Sequence, residues 1–306
     1  VCVTGLTVVD TQYTFTYLGQ FIIMMLIQIG GLGVMTFTSF LGIFFLKRTS
    51  FRNQMVMQDF VSSENFNEVF KIIMKIIVAT FIIEGIGAIL LFFSINNSIK
   101  MALGDRLFFS IFHSISAFCN AGFSTLSQNL AGNEIKFNYF LHLIIAFLII
   151  LGGLGFNVFI NVYKFLKHYI KNQAKHILFN EPFKHVPWII NINTIIVVFS
   201  TIGLILFGTV IFYIFEYNHI LANHNWYGKI IEAFFASVSP RTAGFNTFDF
   251  GQLYSFSILI IIFLMWIGAS PGSTGGGIKT TTFFIAILNV FCLSKGKDRI
   301  EFLRRK

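Results

Sequence analysis

Long apolar runs that carry almost no charge set the limits on how this 306-residue chain can fold. Hydrophobic residues make up 55% of the sequence and charged residues 11%, whereas about a quarter of the residues in a typical soluble domain are charged. A helix needs about 20 apolar residues to cross a hydrocarbon core. We expect spans near residues 17–46, 71–93, 139–165, 188–215 and 253–293. The sequence therefore predicts an all-α, polytopic membrane protein.

Basic residues give the chain a net charge of +9, and they cluster between the predicted spans. The clusters are Lys47, Arg48 and Arg52, then Lys164, Lys167, Lys171, Lys175 and Lys184, and finally residues 295–306. Membrane proteins concentrate Lys and Arg in cytoplasmic loops, so this charge needs no nucleic acid as a partner. We therefore predict that these segments are cytoplasmic.

A short phrase built around glycine occurs three times and reveals an internal repeat. The phrases are VTGLT around Gly5, NAGFST around Gly122 and TAGFNT around Gly244. The last two follow apolar stretches, residues 105–119 and 227–239, that are too short to cross a membrane and are candidates for re-entrant helices. The sequences FHSISAF and FFASVSP within them match when Gly122 is aligned with Gly244.

A long apolar run with its own glycine cluster follows each phrase. These clusters are GGLG from Gly30, GGLG from Gly152 and GASPGSTGGG from Gly268. The repeated unit is thus a span, a re-entrant helix, a glycine phrase and a second span, like the unit of a potassium channel. It divides the chain into residues 1–68, 69–187 and 188–306. We expect the first outer helix and a fourth unit to lie outside this sequence, which begins without Met or a signal peptide.

Glycine phrases at membrane depth suit the passage of a monovalent cation. Non-helical backbone is tolerated there only inside protein or beside a water-filled cavity. Glycine permits positive φ, so that successive carbonyls can turn toward one axis and replace the hydration shell of an alkali ion. The phrases contain no carboxylate, which argues against a divalent site. We therefore expect these phrases to hold a monovalent cation through their backbone carbonyls.

The segment from Gly268 to Lys279, hereafter the Gly-rich segment, has three competing interpretations. GSTGGGIKT resembles a phosphate-binding loop, but an extra residue separates its last glycine from Lys279, and a membrane run precedes it. It is not a further filter, because no short helix precedes it and Gly244 already serves this unit. Residues 253–293 as one straight helix would span roughly 60 Å, about twice the hydrocarbon core. A broken helix in the third unit is therefore the preferred interpretation.

At these residues the chain resembles the KtrB/TrkH superfamily of potassium-translocating subunits, and KtrB most of all. The phrases NAGFS, RTAGFN and IGASPGSTGGGIK occur in the family's order, and the resemblance covers essentially the whole chain. It implies four units around one pore, with one filter glycine in each. By position, the filter residues are Thr4, Gly5, Asn120, Ala121, Gly122, Thr242, Ala243 and Gly244. The resemblance implies that the backbone carbonyls of Gly5, Gly122 and Gly244 hold K⁺.

The resemblance also implies a gating loop and partners. The gating loop lies below the filter and consists of Gly268, Ala269, Ser270, Pro271, Gly272, Ser273, Thr274, Gly275, Gly276, Gly277 and Lys279. The expected protein is a multi-pass subunit of the cell (plasma) membrane, with the filter facing outward and the basic loops facing the cytoplasm. It takes up K⁺ passively and needs no cofactor. Its implied partners are lipid, a second copy in a homodimer, and a cytosolic nucleotide-binding ring of the KtrA/TrkA type.

For several side chains the sequence leaves two roles open. Lys279 either repels K⁺ when the loop is in place or extends to cytoplasmic water. Glu84, in the middle of a span, is either functional or bonded to a neighbouring helix. Arg241 either holds its loop or meets the ion, and His113 is expected to serve packing. Asn157 and Asn161 either line the inner cavity or bond to helix backbone.

Three other functions remain as alternatives. A translocator of the same superfamily that passes or depends on Na⁺ fits the same phrases. A polytopic membrane enzyme would require His or carboxylate clusters, or motifs such as HExxH, and the sequence contains none. A structural subunit without transport would require the missing segments to be absent in the cell.

Overall fold

The structure is a computed structural model that describes residues 11–46, 66–97, 101–179 and 191–296. Its α-helices are α1 (Thr11–Thr14), α2 (Tyr17–Leu46), α3 (Phe66–Ser94), α4 (Leu103–Phe118), α5 (Tyr139–Leu154), α6 (Phe156–Phe179), α7 (Ile192–Glu216), α8 (Trp226–Val238), α9 (Ser255–Trp266) and α10 (Thr280–Ser294). These ranges contain no β-strand longer than a single bridge. The expectation of a helical protein is confirmed for this part of the chain.

Some of these helices are long and apolar enough to cross a membrane. Within the described residues, α3 from Ile73 to Ser94 and the whole of α7 qualify, and α5 with α6 form a third candidate if the bent pair is one span. Shorter apolar helices cover Tyr17–Gly33, α9 and α10. Large side chains such as Phe199, which is 66% exposed, cover the outer faces of the long helices, as a lipid environment allows.

The two short helices lie inside the helical assembly. α4 packs against α3 and α5, while α8 packs against α7 and α5. Their buried side chains, among them Phe109 and Phe235, join one apolar cluster with Leu141 and Ile145 of α5. This packing places the ends of α4 and α8 close to each other in the protein interior.

The same contact recurs between each long helix and its short helix. The Ser114 hydroxyl donates to the Glu84 carbonyl at 2.6 Å, and the Ser237 hydroxyl donates to the Ile205 carbonyl at 2.9 Å. The gap-free alignment of FHSISAF with FFASVSP would instead pair Ser114 with Ala236. That register is wrong by one residue, because the turn after Ser239 is one residue shorter than its counterpart.

The span predicted near residues 139–165 is built from two helices that are separated at Gly155. α5 ends at Leu154, α6 begins at Phe156, and the two helices meet at an angle of 103°. Gly155 has a φ of 81°, which a right-handed helix cannot contain. The other GGLG sequence, from Gly30 to Gly33, stays helical within α2.

Candidate functional site

Both short helices end in loops whose backbone has positive φ at alternate residues. We call residues 120–122 and 242–244 the glycine loops. Asn120 and Gly122 have φ values of 53° and 74°, and Thr242 and Gly244 have values of 75° and 87°. A positive φ is uncommon outside glycine, and for a β-branched residue such as Thr it is an outlier. The two loops therefore share one unusual backbone pattern.

Backbone N–H groups of both loops point back toward the helix ends. The Ala121 N–H donates to the Ser116 carbonyl at 2.8 Å, while the N–H groups of Ala243 and Gly244 donate to the Ser239 carbonyl at 3.1 and 3.2 Å. Among the described residues, the carbonyls of 120, 121 and 242–244 accept no hydrogen bond. Since the carbonyl end of a helix is partially negative, this region favours a cation.

The two glycine loops lie against each other. A Cβ added to Gly122 would lie 3.0 Å from the Gly244 Cα and would clash with the Ala243 carbonyl oxygen. The Leu130 N–H also donates to the Asn246 carbonyl at 3.1 Å, which ties together the segments that follow the loops. The predicted third phrase, with Thr4 and Gly5, lies outside the described residues.

The Gly-rich segment connects α9 to α10 as a compact loop. A parallel bridge pairs Ile267 with Ile278, and the Gly268 N–H donates to the Ile278 carbonyl at 3.0 Å. Ser273 donates through its hydroxyl to the Ser270 carbonyl at 2.6 Å. Ser270, Ser273 and Thr274 are each 1% exposed, so this polar segment is buried within the protein.

Hydrogen bonds from the Gly-rich segment satisfy the broken ends of α5 and α6. The N–H groups of Ser270 and Thr274 donate to the carbonyls of Gly153 and Gly152 at 3.0 and 3.3 Å. The Ser270 hydroxyl donates to the Leu154 carbonyl. In return, the first N–H of α6, on Phe156, donates to a segment carbonyl at 3.3 Å. The last carbonyls and first N–H groups of any helix lack intrahelical partners, and here the segment supplies them.

The Gly-rich segment also contacts the glycine loops. The Thr274 hydroxyl donates to the carbonyl of Phe118, the last residue of α4, at 3.0 Å, and it accepts from Asn120 Nδ2 at 3.2 Å. A Cβ added to Gly275 would lie 2.5 Å from Thr242 Oγ1. The segment thus lies directly beside both loops.

Two basic side chains contact the Gly-rich segment. The half-buried Lys279 ammonium donates to the Gly275 carbonyl at 2.8 Å, so it bonds back to the segment instead of extending away from it. The buried Arg241 guanidinium lies 3.5 Å from the Gly268 carbonyl. Positive charge therefore lies next to the contact between the segment and the loops.

Other predicted residues have structural partners. The Glu84 carboxylate accepts from Gln28 Nε2 of α2 at 2.9 Å and from the Cys119 thiol at 3.7 Å. The buried His113 ring bonds to the Phe109 carbonyl and the Ser124 hydroxyl, both at 2.9 Å. Asn161 Oδ1 is buried without a partner among the described residues. The Asn157 side chain lies outside the described residues.

A polar cleft of about 580 Å³ lies beside the segments that follow the glycine loops. Its lining includes Gln128, Lys136, His219, Asn246 and Asp249. The described residues contain no cluster of three His, Cys, Asp or Glu side chains that could hold a metal ion. The glycine loops themselves contain no carboxylate, so they offer a cation only oxygen atoms of the backbone and of neutral side chains.

Two residues that connect these parts were not predicted from the sequence. Thr274 was assigned to the gating loop without a partner, and Gln28 was not considered. Gln28 could have been identified from the sequence, because it is a polar residue within an apolar run. No local signal pairs Thr274 with Asn120, because 154 residues separate them.

Comparisons with known proteins agree on one family. The TrkH family, described as cation transport protein, matches residues 1–299. The potassium/sodium uptake protein NtpJ of Enterococcus hirae is 34% identical over 302 residues, which is 98% of this chain and 62% of NtpJ. The Ktr system potassium uptake protein B of Vibrio alginolyticus is 36% identical over 309 residues, which is 100% of this chain and 63% of that protein.

A solved structure has the same fold. The potassium transporter TrkH from Vibrio parahaemolyticus matches with a TM-score of 0.66 over 98% of this chain and 55% of that one. Its sequence is 16% identical, so this likeness concerns the fold alone. The chain spans less than two thirds of the length of these relatives.

Proposed function

Because this chain belongs to the TrkH family of cation transport proteins, we propose that it forms most of the pore subunit of a potassium uptake system in the cell membrane. Relatives that are 34–36% identical are named potassium uptake or potassium/sodium uptake proteins. The family and these relatives are transporters, so the membrane-enzyme alternative is not supported. Transport itself requires the complete protein, of which this chain is the larger part.

The selectivity filter in this proposal is the pair of glycine loops together with the phrase around Gly5. The observation that carries the proposal is the shared backbone pattern of the two loops, which meet at the carbonyl ends of α4 and α8. The Gly122 carbonyl accepts from Asn129 Nδ2 at 3.3 Å, while the other loop carbonyls accept no hydrogen bond among the described residues. Free carbonyls beside a partially negative helix end favour a dehydrated monovalent cation. Units 1–68, 69–187 and 188–306 each supply one glycine, and a fourth unit completes the ring.

The Gly-rich segment acts as the gate. It is buried against both glycine loops and brings the Lys279 ammonium close to them. A docked segment therefore obstructs the path by its volume and repels a cation by its charge. In this arrangement Lys279 and Arg241 stabilise the closed state through their contacts with carbonyls of the segment.

Orientation and partners complete the proposal. The basic segments after the second helix of each unit face the cytoplasm, which places the glycine loops toward the outer side. The homodimer and the cytosolic nucleotide-binding ring of the KtrA/TrkA type rest on the family resemblance. The ring would contact the basic segments, whose positive charge suits an acidic surface.

Sodium passage is the second candidate, and it is favoured by the relative NtpJ, which is named a potassium/sodium uptake protein. One glycine per loop provides few stacked carbonyl layers, so discrimination between alkali ions should be weaker than in a longer filter. Uptake measured separately with K⁺ and Na⁺ distinguishes the two candidates.

The proposal is tested by K⁺ uptake through the complete protein in a cell that lacks its own K⁺ transport. Gly122→Ser and Gly244→Ser force a side chain into a left-handed backbone, at roughly 1–2 kcal/mol, and at Gly122 into a clash. We expect K⁺ uptake or the K⁺/Na⁺ preference to fall in both variants. Gly132→Ser is the matched control, because a Cβ there would meet nothing within 4 Å.

Expression and size-exclusion profiles must match in all four proteins. If both filter variants kept the uptake and ion preference of the control, the glycine loops would not form the filter.

A further inference from the structure

We propose a second cation site, formed by side-chain oxygens of Asn120 and Thr242 on the side of the glycine loops that faces the Gly-rich segment. This proposal rests on the proposed ion pathway. The site would add a layer of neutral side-chain ligands to the layer of backbone carbonyls. Two oxygen atoms carry the proposal, Asn120 Oδ1 and Thr242 Oγ1. Both are buried, and neither has a hydrogen-bond partner in the described part of the chain.

The orientation of the Asn120 amide follows from its partner. Thr274 has a single hydroxyl proton, which it donates to the Phe118 carbonyl at 3.0 Å. Its oxygen can therefore only accept from Asn120, at 3.2 Å, and that contact must involve the amide nitrogen. The amide oxygen is left as the free atom. Since Asn120 is fully buried, no bulk water reaches this oxygen.

Thr242 holds the equivalent position in the other loop. Each residue lies two positions before its loop glycine, and each has a positive φ. For Thr this backbone is strained, and strain of this kind persists only where the surrounding structure imposes it, often at ligand sites. Buried polar atoms without partners are equally rare in folded proteins. A left-handed backbone and an unpartnered oxygen thus occur together at both positions, and the backbone is strained at Thr242.

Both side chains approach the same glycine of the Gly-rich segment. The position that a Cβ on Gly275 would take lies 2.5 Å from Thr242 Oγ1 and 3.3 Å from Asn120 Nδ2. Gly275 is therefore packed against both residues where the Gly-rich segment meets the loops. An ion that leaves the filter on this side has to pass both side chains and then the backbone of Gly275.

The donor set fits a monovalent cation. An amide oxygen and a hydroxyl are neutral, and neutral oxygens can replace the hydration shell of an alkali ion. Divalent Ca²⁺ and Mg²⁺ are usually held by carboxylates, and no hydrogen bond among the described residues joins a carboxylate to Asn120 or Thr242. The Glu84 carboxylate bonds to Cys119, the residue before Asn120. The nearby positive charges are the Arg241 guanidinium and the Lys279 ammonium, which donates to the Gly275 carbonyl. A cation at this site and the docked segment therefore repel each other.

The test measures K⁺ binding by the purified complete protein in detergent. Its unfolding temperature is followed while KCl replaces choline chloride at constant ionic strength. Thr242→Val removes the hydroxyl and keeps the branched shape, whereas Thr242→Ser keeps the hydroxyl as the matched control. We expect Thr242→Val to raise the half-saturating K⁺ concentration at least about tenfold, the scale of one lost interaction with a charged group. Thr242→Ser should stay within about twofold of the unmodified protein.

Thr242→Gly is a second variant without the hydroxyl, and it keeps the test decisive if Thr242→Val does not fold. Glycine adopts positive φ without strain, so this variant removes the hydroxyl and suits the observed backbone. Half-saturation in Thr242→Val and Thr242→Gly equal to that of Thr242→Ser would overturn the proposal. Gly244→Ser distinguishes failure of the second site from failure of the filter. If Gly244→Ser weakens K⁺ binding while the Thr242 variants do not, the filter proposal stands and the second-site proposal fails. If none of the variants alters K⁺ binding, the filter proposal fails as well.

Discussion

Replacing Thr274 with valine keeps the size and branching of the side chain and removes one buried hydroxyl. That hydroxyl joins the Gly-rich segment to the end of α4 and to Asn120 through two hydrogen bonds of 3.0 and 3.2 Å. In the docked state, valine leaves the Phe118 carbonyl and the Asn120 amide N–H without partners, at about 1–3 kcal/mol for each buried group. Once the segment has left, water can satisfy both groups, so the loss falls on the docked state alone.

A combined loss of about 2–6 kcal/mol would shift the docking equilibrium roughly 30- to 20,000-fold toward release, at 1.4 kcal/mol for each factor of ten. If the segment is the gate, Thr274→Val should raise the passive cation flux severalfold. The assay is the initial rate of ⁸⁶Rb⁺ uptake into proteoliposomes that contain the complete protein. Thr282→Val is the control, because it removes an exposed hydroxyl from α10.

Equal reconstitution must be shown by protein content and by a monodisperse profile before reconstitution. A flux from Thr274→Val no higher than that from Thr282→Val would refute the reasoning, since it would mean that the contact between the segment and the loops does not limit passage.

Three further changes test neighbouring contacts. Deleting residues 272–277 should raise ⁸⁶Rb⁺ flux in the same assay, because it removes the part of the segment that lies against the loops; unchanged flux in folded protein would argue against gating. Gly155→Ala should also raise flux, since Ala is strained at a φ of 81° and its Cβ would lie 2.9 Å from the Pro271 carbonyl oxygen in the docked arrangement. Glu84→Ala should lower the unfolding temperature more than Glu84→Gln. Alanine leaves Gln28 Nε2 and the Cys119 thiol without an acceptor, at about 1–3 kcal/mol for each buried group, whereas glutamine retains one acceptor. Equal unfolding temperatures of the two Glu84 variants would show that these bonds do not stabilise the fold.

The helices were predictable because their physical cause is local. An apolar run without charge has few ways to satisfy its backbone in a membrane other than a helix, and α2 covers the predicted residues 17–46. Glycine at positions 122 and 244 indicated two of the places where positive φ values occur. Thr242 was less predictable, because a β-branched residue disfavours the left-handed backbone that it adopts, whereas Asn at position 120 tolerates it.

The tertiary contacts could not be derived from one sequence. The register between Ser114 and Ser237 depends on a turn that is one residue shorter, which a gap-free comparison of similar phrases cannot detect. The hydrogen bond between Thr274 and Asn120 joins residues from two different units. Such pairings depend on how α5, α8 and the Gly-rich segment pack, and this packing is a property of the whole assembly.

The two GGLG sequences show most directly that the break in α5–α6 has a tertiary cause. Residues 30–33 lie inside the unbroken helix α2, whereas residues 152–155 end α5. The residues are identical, so local propensity cannot account for the difference. What differs is the neighbour: the carbonyls of Gly152, Gly153 and Leu154 accept hydrogen bonds from the Gly-rich segment. In an unbroken helix the same carbonyls would accept from the N–H groups of residues 156–158. The docked segment and a continuous α5–α6 helix therefore compete for one set of acceptors, and each arrangement excludes the other.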